Sequence, residues 1–131
     1  MSDPTQESNR AVSDSYIWRL DDSKFREVKP GFRRRIFNGL DLSLCFHRIA
    51  DGAGPTPYDG HPENEQFGII LRGELDFRLG SEERTLLKPG DVYWAPRDYP
   101  HGDSHFIGDP ETGETWILDI FAPVREEYRN G

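Results

Sequence analysis

Tyr58-Asp59-Gly60-His61-Pro62-Glu63-Asn64-Glu65-Gln66-Phe67-Gly68-Ile69-Ile70-Leu71-Arg72-Gly73 is answered further along the chain by Pro96-Arg97-Asp98-Tyr99-Pro100-His101-Gly102. Asp59 and His61 are two positions apart, so on an extended backbone both side chains leave one face. Gln66 follows after a short polar turn, and His101 arrives from a distant segment. Oxygen and imidazole donors gathered in this way are what a divalent metal requires. The rest of the chain is expected to be the β-shell that holds this point.

The strand signals run in both directions from it. Leu40, Leu42, Leu44 and Phe46 alternate with Asp41, Ser43, Cys45 and His47, the period-two pattern of a strand. Leu75, Phe77 and Leu79 repeat that pattern, and Val92-Tyr93-Trp94-Ala95 and Thr115 to Phe121 supply two more strands. Phe32 to Phe37 ends at Asn38-Gly39, a hairpin signal. Lys88-Pro89-Gly90-Asp91 has the residues of a type II turn. Tyr16 to Leu20 is expected to form a first short strand, and 108–113 a polar loop. Nine or ten short strands with no amphipathic helix between them predict an all-β barrel or double-sheet roll.

At 131 residues, with thirteen Gly and ten Pro spread along it, the chain is sized for one domain. Residues 1–14 are polar and aperiodic and are expected to be a disordered tail, leaving 15–131 as the barrel domain. A net charge of −8 argues against nucleic acid and anionic membranes as partners. Cys45 is the single cysteine, so no intramolecular disulfide is possible. No apolar run reaches the roughly 18 residues that span a bilayer, and a cytoplasmic protein is expected.

The motifs resemble those of the small single-domain cupins, over roughly Leu40 to Tyr128. Counting back from Gly73, the glutamate position of the first cupin motif falls on Gln66, its second histidine on His61 and its first on Asp59. The second motif appears as Gly90, Pro96 and His101, with Asp98 in place of its glycine. The runs Glu65 to Glu74 and Leu87 to Val92 carry the resemblance most specifically. It implies the double-stranded β-helix, or jelly-roll, barrel and a homodimer. Gln66 and the ending Leu118-Asp119-Ile120-Phe121-Ala122-Pro123-Val124-Arg125 resemble the uronate-linearising cupins of pectin and alginate breakdown. That branch opens the ring of an unsaturated uronate monomer, and its catalytic Asp and Arg, six positions apart, fall on Asp119 and Arg125. It has a histidine where this chain has Asp59.

The metal donors are therefore expected to be Asp59, His61, Gln66 and His101, for Fe, Mn, Zn or Ni. Three functions are compatible with them. One is a metal-dependent lyase or isomerase acting on a small, oxygenated, anionic substrate, with Asp119 moving a proton and Arg125 positioning the anion. The second is a non-haem Fe(II) dioxygenase using Asp59, His61 and His101. The third is a non-catalytic cupin that binds a small ligand or metal. Parity puts His47 on the face of Cys45, where it either lines the cavity or is a hydrogen-bonded barrel histidine. It also sends Tyr93 and Trp94 to opposite faces, and turns one or two of Arg33, Arg34 and Arg35 inward.

Overall fold

Trp116 to Phe121 alternates in the way that decides the fold: along β10 (Glu114–Ala122) every second residue, Thr115, Ile117, Asp119 and Phe121, is buried. In this computed structural model, which describes residues 16–128, β10 runs through the middle of the larger sheet. Its neighbours are β3 (Ser43–Ala50) on one side and β5 (Glu65–Arg72) on the other. Outside these lie β2 (Phe32–Asn38) and β1 (Arg26–Lys29) on the β3 side and β8 (Val92–Ala95) on the β5 side. The second sheet has the order β4-β9-β6-β7, from β4 (Tyr58–Asp59), β6 (Glu74–Leu79), β7 (Arg84–Leu87) and β9 (His101–Ile107). All described pairings are antiparallel. Two facing antiparallel sheets and no α-helix among the described residues make a jelly-roll barrel.

Register places the interior. Directly opposed residues share a face, so the row Ile36, Cys45, Asp119, Gly68, Tyr93 crosses the inside of the larger sheet. One row away lie Arg34, His47, Ile117 and Ile70, and on the other side Ser43, Phe121, Gln66 and Ala95. Two apolar clusters close the barrel. One gathers Ile70, Leu75, Phe77, Phe106 and Ile117, and the other Ile36, Cys45, Phe121 and Tyr128. Full burial of a side chain such as Phe77 contributes about 1.5–3 kcal/mol. Between the clusters lies a cavity of about 360 Å³, in the range of small-molecule sites.

Gly68 is the residue that lets this interior form. A Cβ there would stand 2.2 Å from Cε1 of Tyr93, so the Tyr93 ring lies flat on the bare backbone of β5. Gly68→Ala is expected to destabilise the fold by about 1–3 kcal/mol, because backbone or ring must move. Urea unfolding measures this; an unchanged midpoint would contradict it.

Several sequence expectations are corrected. Tyr16 to Leu20 forms no strand, only an isolated bridge at Ile17. The Asn38-Gly39 signal marks a four-residue loop, closed by Gly39 N–H donating to the Leu42 carbonyl at 2.8 Å, rather than a two-residue turn. The strand expected from Leu40 therefore begins at Ser43, and Leu40 is 94% exposed. Its leucine face points outward; Ser43, Cys45 and His47 face in. β1 and β9 were not anticipated: β1 is exposed throughout, and β9 is too polar to alternate cleanly. The tail expected over 1–14 lies outside the described residues.

Candidate active site

The two histidine segments are tied together by backbone. Asp59 pairs with His101 across β4 and β9. The turn after Pro96 closes with Tyr99 N–H donating to the Pro96 carbonyl, and Asp98 N–H donates to the His61 carbonyl at 3.1 Å. A Cβ on Gly60 would lie 2.6 Å from the Asp98 carbonyl oxygen, so glycine permits this approach. Asp98, at the motif's glycine position, keeps the left-handed backbone with φ +63°. The fold thus preserves the turn although the residue differs.

The His61 and His101 rings meet edge to face at a centroid separation of 5.1 Å. His101 Nδ1 donates to the Tyr99 carbonyl at 3.1 Å, which leaves its Nε2 lone pair free. The His61 pKa is lowered, chiefly by burial and then by Arg125 and His101, so His61 is neutral near pH 7 and can ligate. Gln66 is 4% exposed. Its Nε2 donates to the Tyr93 hydroxyl at 2.7 Å, and its Oε1 is buried without a donor among the described residues. Two imidazoles and an orphaned carbonyl oxygen, all lining one cavity, fit a divalent cation.

Asp59 lines the same cavity but is exposed, with Oδ1 accepting from Gly60 N–H at 3.0 Å. His61 lies just beyond the two-residue β4. Among the described residues no three His, Cys, Asp or Glu side chains gather at ligand spacing. His61 and His101 are in ring contact, and Gln66 and Asp59 line the same cavity.

Asp119 faces them from β10, 7% exposed. His47 Nε2 donates to its Oδ2 at 2.9 Å, and the Tyr93 hydroxyl donates to Oδ1 at 3.5 Å. His47 Nδ1 lies 4.0 Å from Cys45 Sγ. Burial, the largest single influence, pushes the His47 pKa down, but Cys45 and Asp119 together outweigh it and push it up to about 10. His47 is thus both alternatives at once, a cavity wall and a hydrogen-bonded histidine. Burial and Asp119 raise the Tyr93 pKa, so its phenol keeps its proton.

The raised His47 pKa predicts a pH dependence of stability. The unfolded imidazole loses its proton near 6.5 and the folded one near 10, so the native state binds the extra proton in between. The stabilisation is complete below the lower value and lost as pH rises through the upper, at no more than about 1.4 kcal/mol per pH unit. Urea unfolding across this range should give a falling curve for wild type relative to His47→Gln. Parallel curves would contradict the pairing.

Arg125 leaves the end of β10 and lies over the Phe121 and Tyr128 rings, 5.0 Å from each centroid, paired with Glu127. Arg34 lies 5.0 Å from the same Tyr128 ring. Both line the cavity, as do Lys29 and Arg33, against the carboxylates Asp59 and Asp119. On a chain of net charge −8 this is a basic interior. Tyr93 is the buried wall and Trp94, stacked on Phe67 outside, is 51% exposed. His105 sits exposed on β9 beside Asp103 and does not line the cavity. Sequence reasoning left Tyr128 unassigned, and no local pattern marks it.

The fold is that of the small all-β cupins, and the family model of the cupin domain matches residues 45–106. The pectin degradation protein KdgF of Dickeya dadantii is 29% identical over 110 residues, 82% of this chain and 93% of that protein. The structure of KdgF from Halomonas sp. superposes with a TM-score of 0.73 at 26% identity, covering 84% of this chain and 96% of that one. A cupin from Shewanella frigidimarina described as RmlC-like shares the fold, with a TM-score of 0.68 at 19% identity over 79% of this chain and 86% of that one. No helix among the described residues is long and apolar enough to cross a membrane.

Proposed function

We propose that the chain is a metal-dependent enzyme of pectin breakdown that opens the ring of an unsaturated uronate monomer. The observation that carries the reading is Asp119, a buried carboxylate on the cavity wall held by His47 and Tyr93, facing the His61–His101 pair. Similarity to the two KdgF proteins supports the substrate class.

The reaction is an isomerisation with no gain or loss of atoms. A proton leaves the anomeric hydroxyl, the ring carbon–oxygen bond breaks as the carbonyl forms, and the resulting enolate is protonated on carbon. A divalent cation held by His61, His101 and the Gln66 carbonyl, with Asp59 at the mouth, would supply Lewis-acid stabilisation of developing oxygen charge. Asp119 takes the hydroxyl proton and returns it to carbon. His47 and Tyr93, each bonded to one of its oxygens, fix the orientation of Asp119. Arg125, beside His61, provides counter-charge for the oxygen on which negative charge develops as the ring opens.

Incubating the metal-loaded protein with unsaturated galacturonate, and following loss of its double-bond absorbance, tests the proposal. Opening faster than the spontaneous reaction supports it; an identical rate rejects it.

A further inference from the structure

Arg34 has an unmet need. It projects inward from β2 beside His47, and its Nε is buried with no hydrogen-bond partner among the described residues. Its guanidinium lies 5.0 Å from the centroid of the Tyr128 ring. Of the neighbouring charges, His47 is paired with Asp119 and Arg125 with Glu127. A guanidinium that loses water at Nε and gains no acceptor is costly unless a ligand supplies one. The adjacent cations, with Lys29 and Arg33 on the same cavity, make an anion the favoured ligand.

We propose that Arg34 is the specificity-determining residue for the substrate's carboxylate, gripping it through Nε–H and a terminal N–H. This rests on the reading of the cavity as a sugar-acid site. Planar fork geometry matches a carboxylate at two points, and the Tyr128 ring holds the fork in place. Arg125, already paired with Glu127 and lying beside His61, serves the reacting end, while Arg34 reads the acid group. A neutral sugar of the same shape leaves Arg34 Nε unsatisfied and is rejected for that reason.

The test is equilibrium binding of D-galacturonate and D-galactose, neither of which has the reactive double bond, to the metal-loaded full chain by titration calorimetry. Wild type is expected to prefer galacturonate by about 10- to 100-fold, the range of a charge-assisted pair. Arg34→Gln should abolish that preference and leave galactose binding unchanged. Arg34→Lys, which keeps charge and stem but loses the fork, should recover part of it. On the unsaturated substrate, Arg34→Gln should raise KM by a similar factor and change kcat by no more than a few-fold. A preference undiminished in Arg34→Gln, or absent from wild type, overturns the assignment. Should Arg34→Gln fail to fold, Arg34→Lys decides: an undiminished preference overturns the assignment and a reduced one supports it. Carboxylate preference without ring opening would leave Arg34 assigned and remove the proposed reaction. Ring opening with a preference indifferent to Arg34 would do the reverse.

Discussion

Asp119→Asn is expected to lower kcat by about 10²–10⁴-fold while the bound metal stays in place, since this is the range that a positioned acid or base contributes. The two side chains are nearly the same size, so the packing of β10 between β3 and β5 is preserved. What changes is chemistry: an amide cannot accept the hydroxyl proton. His47 would also lose its counter-ion at 2.9 Å, so its raised pKa should fall. Steady-state kinetics, with metal content measured on the same sample, separates this from general damage. A variant with wild-type kcat would remove Asp119 from the mechanism, and one that lost its metal would make its role structural.

His101→Ala is expected to act at the opposite wall. It removes a donor whose Nε2 is left free by the Nδ1 contact to Tyr99. Metal affinity should fall by more than about 100-fold, beyond what loss of a ligand's outer partner commonly costs. Turnover should fall to the spontaneous rate, while the melting temperature of the metal-free protein stays close to wild type. That last point follows from position: His101 begins β9, and the apolar clusters do not include it. Elemental analysis after dialysis checks the claim, and full metal content in the variant would contradict it.

Strand signals with apolar alternation were legible in the sequence, which is why β6, β8 and β10 were found with nearly correct bounds. Which face turns inward was not. In β3 the apolar face is outside, because this barrel encloses a polar cavity and its core-facing positions carry Ser43, Cys45 and His47. Hydrophobic alternation reports that two faces differ, and a functional interior inverts the usual assignment. β1 and β9 escaped notice because pairing with β2, β4 and β6 makes them strands, not their own composition.

The candidate residues fared similarly. Asp59, His61, Gln66, His101, Asp119 and Arg125 all line one cavity. Missing from that reading were links of pure register. His47 reaches Asp119 because β3 and β10 are neighbours, and Tyr93 reaches Gln66 because Gly68 leaves room for its ring. The orphaned Nε of Arg34 and its shared aromatic face with Arg125 are likewise products of the fold, since Tyr128 is remote from Arg34 in the chain.

The most direct measurement is the stereochemistry of proton delivery. If Asp119 returns the proton from one wall, opening the unsaturated uronate in heavy water, quenched early, should place deuterium at one of the two methylene positions of the product. Proton NMR resolves them. The account predicts a single labelled position with the protein present, and Asp119→Asn should return the distribution to that of the spontaneous reaction. Equal labelling of both positions by the wild-type protein would contradict it.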